Sequence, residues 1–387
     1  MFHNAALKRT TLQPYDTALF WIAVTLLALG LVMVYSSSIG IAETRTASHS
    51  AQHYLWRHGF SLTIALIAAI ALFRVPSAAW QTAAPILFLV SVALLILVFI
   101  PGIGREVKGS WRWISLGPLG NFQPSELMKL ATVIYAADYT VRKAALMGSI
   151  QKGFLPMFLV MLLIAGLLQM EPDLGATMVI VAIAMGILFL GGLNLRLFLL
   201  LLLLVVAGVV VLIQLEPFRM ARMLNYMNPW VDPLGAGYQI THALMAVGRG
   251  GWFGVGLGES VEKLSYLPEA HTDFLIAILG EELGAVGILV VMGIFAWIIW
   301  RAFSIGWQAS LMGRNFQALV AQGVAVWLGA QCFINIGVNL GALPAKGLTL
   351  PLMSYGGSGL LVNCLAIALL MRVDYENRLL MRGGRTA

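Results

Sequence analysis

The chain has 387 residues, 60% of them hydrophobic and only 11% charged, with a formal net charge of +7. That composition excludes a soluble globular protein and describes one integral membrane domain over 1–387. The two cysteines, Cys332 and Cys364, both lie in apolar runs and offer neither a disulfide framework nor metal-ligand spacing.

Residues 1–14 are polar, with Lys8 and Arg9 and no small-residue cleavage site, so the first apolar segment reads as a retained anchor. Runs long enough to cross a hydrocarbon core of ~30 Å fall at 17–38, 59–73, 80–100, 124–141, 153–169, 174–190, 195–215, 273–300, 316–341 and 351–371. The expected fold class is an all-α polytopic membrane protein of about ten transmembrane helices. A large external loop, 216–272, joins the seventh and eighth. An even number of spans puts both termini on one side. Arg74, Arg142, Lys143, Lys152, Arg196, Arg301 and Arg314 share that side with the terminal basic residues. The positive-inside rule makes it cytoplasmic, with tails 1–16 and 372–387.

The opposite face still carries Arg45, Arg57, Arg105, Lys108, Arg112, Arg219, Arg222, Arg249, Lys263 and Lys346, concentrated in 101–121 and 216–272. A solvated basic face and a site for an anionic group account equally well for this excess. Arg112 sits between Trp111 and Trp113, as an interfacial anchor or a phosphate holder. Pro124 opens the fourth span, where Glu126 and Lys129 are neighbours on one helix face. They read as a self-neutralising pair, as a polar wall of a substrate cavity, or as both, since a paired lysine can still face a phosphate. Asp173, in a tight turn, caps the sixth helix or adds a carboxylate to the external face. In the large loop, 238–247 has an amphipathic helical pattern that suggests a half-buried or re-entrant element. The glycines around Arg249 could cradle phosphate.

Residues 263–284 hold the most concentrated chemistry. Thr272 or His271 can cap a new helix, which places Asp273 in its first turn at the mouth of an apolar run. Gly280 and Gly284 make a small-residue packing face, while Glu281 and Glu282 lie about 12 Å deeper and need partners. Asn335 and Asn339 share a face of the ninth span as interhelical hydrogen-bond groups. Pro344 and Pro351 force a turn that carries Lys346, and Ser354 begins a polar interruption of the tenth span.

QPSELMKL at Gln123, EPDLG at Glu171, NPWVDPLGAGYQ at Asn228, KLSYLPEAHTDF at Lys263 and GLTLPLMSYGGSG at Gly347 run along almost the whole chain. Together they resemble the SEDS family (shape, elongation, division and sporulation) of peptidoglycan polymerases. LPEAHTDF, LPAKGLTLP and the tail LLMRVDYENRL are more similar to the division-type branch than to the elongation-type one. Gly359 departs from the serine frequent there, and Asn121 from a basic residue.

The resemblance implies an inverting glycosyltransferase that polymerises lipid II at the division septum of the bacterial cytoplasmic membrane. It also implies a class B penicillin-binding transpeptidase and other division proteins as partners, with no nucleic acid. The carboxylate it matches as catalytic is Asp273, a general base for the acceptor hydroxyl. The pyrophosphate leaving group needs cations or amides. Arg112, Glu126, Lys129, Asp173, Arg222, Arg249, Lys263, His271, Lys346 and Ser354 are the candidate substrate-binding residues. A divalent cation, Mg or Mn, could bridge the pyrophosphate, although no ligand cluster is visible. A lipid II flippase, an elongation-type polymerase and a scaffold that only positions its partner are the alternatives. Mainly external loop chemistry favours the enzyme over transport.

Overall fold

The structure, a computed structural model, describes residues 13–45, 50–107, 109–117, 120–215, 220, 223, 226–235 and 237–384. In chain order come α1 (Thr17–Arg45), α2 (His53–Arg74), α3 (Ser77–Leu97), β1 (Gly104–Val107), β2 (Ser110–Ser115), β3 (Asn121–Phe122) and α4 (Pro124–Arg142). Then follow α5 (Leu155–Met170), α6 (Leu174–Leu190), α7 (Leu195–Gln214), α8 (Tyr238–Gly250), α9 (Leu275–Leu311), α10 (Asn315–Asn339) and α11 (Gly357–Met381).

Among the described residues, 7 helices are long and apolar enough to cross a membrane on length and composition: α1, α2, α3, α5, α9, α10 and α11. The shorter α6 and 195–208 of α7 are equally apolar, and α4 is set apart by its charges. These helices occupy each position expected from the sequence, and the chain is an all-α polytopic membrane protein. The expected loop 101–121 instead folds as a small antiparallel sheet in the order β1-β2-β3. The stretch from residue 372, expected as a tail, continues α11 to Met381.

Burial sorts the helices. α4, α10 and α11 are enclosed on most faces, while α2, α3 and α7 expose rows of leucine and isoleucine of the kind that face lipid. At one end of the bundle, the starts of α1 and α3 meet the end of α11. Arg301 and Arg378 pair with Asp16 and Asp374, and Arg314 and Arg372 pair with Glu376. Ser77 adds its backbone N–H and hydroxyl to Glu376. Such pairing is what buried charge requires. The described residues expected at the site lie toward the opposite ends of these helices.

α9 is not a single helix. Gly284 breaks it with φ 71° and ψ −173°. A side chain there would collide with the 252–254 backbone, its Cβ lying 2.4 Å from Gly254 N. The segment after α8 supplies what the break removes. Val255 and Gly256 donate to the carbonyls of Glu281 and Glu282 at 2.9 and 3.1 Å, while Ala285 and Val286 donate to Gly251 and Trp252 at 2.8 and 3.1 Å. Backbone groups inside a membrane domain must find partners within the protein, and this grafted segment provides them. Gly280 does serve close packing: the Gly250 end of α8 rests on its carbonyl.

Candidate active site

Asp273 lies in the turn that precedes α9, not in its first helical turn. Neither Thr272 nor His271 caps that helix. The Thr272 hydroxyl turns back to Glu269, whose carbonyl collects the N–H groups of Thr272, Asp273 and Phe274 at 3.1–3.2 Å. The cap comes from another helix: Asn339 Oδ1 accepts from Ala277 N at 3.0 Å. The same amide donates to the Asp273 carbonyl at 2.9 Å, and Asn335 donates to it at 2.9 Å as well. Asn335 also donates to Leu348 O at 2.6 Å.

The segment that carries Lys346 therefore runs beside Asp273. A Cβ added at Gly347 would stand 3.2 Å from Asp273 Oδ2. Asp273 and Lys346 are both half-buried. His271 packs in a cluster with Tyr54 and Tyr355, its ring tilted against theirs at centroid distances of 4.7 and 5.4 Å. Ser354 is buried and accepts from Leu350 N at 2.9 Å, holding the 350–354 turn. That turn sits deep, because Gly30 of α1 packs on the Met353 backbone.

Beside it, α4 presents Glu126 and Lys129 as a buried pair at 2.8 Å. The ammonium also donates to Gln331 Oε1 at 2.9 Å and lies 5.6 Å from the Trp327 ring centroid. Gln331 passes the link on to Thr349 O at 2.8 Å. A Cβ at Gly359 would stand 3.5 Å from Glu126 Oε2 and from Thr349 Oγ1, an ordinary contact distance. Gln123, next to Pro124, joins α4 to α11 by donating from its N–H to Ser358 Oγ at 2.9 Å. Its side chain reaches Asp173 Oδ2 at 3.3 Å, while Asp173 Oδ1 caps α6 through Ala176 N at 3.0 Å. Arg112 on β2 clasps this turn from above, donating to the carbonyls of Glu171 and Pro172 at 2.8 and 2.5 Å.

Two of the expected basic residues, Lys263 and Arg249, stand apart from this group. Lys263 is buried, with its ammonium on Glu282 Oε1 at 2.8 Å, Ser36 Oγ at 3.1 Å and Gly258 O at 2.5 Å. Arg249 reaches Glu281 Oε1 at 3.3 Å, and Ser260 and the Val261 N–H complete that carboxylate. These are the partners that the two deep glutamates needed. Lys263 is enclosed by its partners, whereas Arg249 keeps an exposed guanidinium beside its pairing with Glu281. Arg222 lies outside the described residues.

Two features went unread in the sequence. Gln331, Asn335 and Asn339 repeat every four residues and so form one amide stripe on α10, a spacing that could have been extended to Gln331. Glu171 is fully buried with neither carboxyl oxygen hydrogen-bonded. Burial, and then the nearby Asp173 carboxylate, push its pKa up to about 8, against the pull of Arg112. No pattern distinguishes it from a turn residue. Among the described residues no group of three or more His, Cys, Asp or Glu side chains could hold a metal ion. The side chains at this site therefore do not fit a protein-built cation cage.

The profile of the cell cycle proteins FtsW, RodA and SpoVE matches residues 17–379. The chain belongs to that family. Within it, the chain is 56% identical over 374 residues to a probable peptidoglycan glycosyltransferase FtsW of Aromatoleum aromaticum, covering 96% of this chain and 91% of that one. It is 55% identical over 386 residues to the protein of the same name in Burkholderia thailandensis, covering 99% and 83%. Among solved structures, a peptidoglycan synthase complex described as coordinating polymerization and crosslinking has a chain 28% identical, with a TM-score of 0.75 over 94% of this chain and 98% of that one. The rod shape determining protein RodA of Thermus thermophilus is also 28% identical, with a TM-score of 0.67 over 94% and 97%. The FtsW/RodA/SpoVE fold thus accounts for the multi-pass architecture.

Proposed function

We propose that this chain is a division-type peptidoglycan glycosyltransferase that polymerises lipid II, with Asp273 as the general base. The acceptor sugar hydroxyl loses its proton to the Asp273 carboxylate as its oxygen attacks the donor's anomeric carbon. The donor's bond to its lipid pyrophosphate breaks with inversion. The leaving group departs as an anion and needs positive charge more than a proton. Lys346, one residue from the glycine against Asp273, and Arg112 are the cations we assign to that role. Any divalent cation would be held mainly by the pyrophosphate oxygens.

The observation that carries this reading is the fixed position of Asp273. Its backbone is held by two amides of α10, and its half-buried side chain lies beside the Lys346 segment. The name shared by relatives above 50% identity supports the reaction class over a flippase or an elongation-type enzyme. The setting we propose is the bacterial cytoplasmic membrane at the septum. Both termini are cytoplasmic, 216–272 is periplasmic, and 1–387 forms one domain working with a class B penicillin-binding transpeptidase and other division proteins.

Purified protein, with and without the transpeptidase, is given labelled lipid II. Wild type should make glycan chains and Asp273→Ala none, with its melting temperature unchanged. Equal polymerisation by the variant removes Asp273 from the mechanism. Lipid movement across liposomes without polymer would replace the enzyme with a transporter.

A further inference from the structure

The amide stripe of α10 grips two segments that are far apart in sequence. Asn335 Nδ2 donates both of its N–H groups, one to Asp273 O at 2.9 Å and one to Leu348 O at 2.6 Å. Asn339 Nδ2 does the same for Asp273 O at 2.9 Å and Asn335 O at 2.8 Å, while its Oδ1 takes the Ala277 N–H. Every partner of the two NH2 groups is a carbonyl oxygen, which fixes the orientation of both amides. Both side chains are buried on a helix that is itself enclosed. One turn away, Gln331 holds Thr349 O at 2.8 Å.

From this geometry we infer that Asn335 and Asn339 are positioning residues for the transfer step. They set the gap between the Asp273 carboxylate and the Lys346–Gly347 segment, and do not touch substrate. The inference rests on the proposed role of Asp273. Two donors on one carbonyl leave the Asp273 backbone little room to shift, and Asn335 ties that carbonyl to the residue after Gly347. The carboxylate and the ammonium-bearing segment are thereby referred to one rigid helix. A base and a charge-stabilising group must keep their separation through the reaction, so a loosened gap lowers turnover more than affinity.

The test uses the full chain with its transpeptidase, lipid II as substrate, and Asn335→Ala, Asn339→Ala and Asp273→Asn in parallel. For each asparagine variant we expect kcat to fall roughly 10- to 100-fold, with KM within about twofold of wild type. Since both amides serve one carbonyl, the double variant should lose less than the product of the single losses. Gly347→Ala approaches the same gap from the other side without touching α10. It should lower kcat severalfold at unchanged melting temperature, and it serves as the test if an asparagine variant does not fold.

Wild-type kcat in the asparagine variants or in Gly347→Ala, with Asp273→Asn inactive, overturns the positioning role alone. A rise in KM at constant kcat also overturns it, because that pattern belongs to substrate contact. Full activity in Asp273→Asn would instead bring down the assignment of the base.

Discussion

The buried pair on α4 allows a quantitative test. Lys129 has no exposed surface, and its ammonium lies 2.8 Å from Glu126 and 2.9 Å from Gln331 Oε1. Lys129→Met keeps the volume and removes the cation. Glu126, 6% exposed, then has no opposite charge among its described partners. Removing one member of a buried ion pair costs about 3–5 kcal/mol. Methionine's apolar surface returns about 1 kcal/mol of that. The expected net loss is therefore on the order of 2–4 kcal/mol, and Glu126→Gln/Lys129→Met should recover most of it. The chain provides its own reporter, because Cys332 and Cys364 are free and buried. A thiol-reactive fluorophore in a detergent melt reads their exposure on unfolding. The reasoning is refuted if Lys129→Met melts with wild type, or if the double variant is as unstable as the two single losses added. A double variant that folds but makes no glycan would show that the pair acts in the reaction as well as in packing.

Two further outcomes follow from the same physics. Glu171, raised from 4.5 to about 8, keeps a proton that the unfolded chain releases. Stability should therefore fall as pH rises through that window, and Glu171→Gln should flatten the melting-temperature profile between about pH 5 and 8 and raise its alkaline end; an unchanged slope rules this out. Gly284→Ala should prevent recovery of folded protein or lower its melting temperature steeply, because the new Cβ meets the 252–254 backbone at a positive φ; a wild-type melt would mean that the break is not needed.

Much of the site was legible from short-range spacing. Glu126 and Lys129 are three residues apart on a helix, and their pairing follows from that. Asp173 sits one residue ahead of an apolar run and caps it, as its side-chain chemistry favours. The destinations of Lys263 and Arg249 were not legible, because each pairs with a glutamate on a helix that the chain reaches only after the 251–262 segment folds back. The cap of α9 failed for the same kind of reason. Local candidates were at hand in His271 and Thr272, yet Asn339, 62 residues beyond Ala277, performs it.

By itself the sequence determined where the helices lie, because a bilayer offers the backbone no partners and any apolar run long enough to cross must close its own hydrogen bonds. It also supplied the residue types at the site. Only the tertiary structure decided which cations pair with the deep glutamates, where α9 breaks, and what steadies Asp273. Those outcomes depend on buried groups satisfying one another across long stretches of chain, where burial makes an unpaired group costly and no local pattern names its partner.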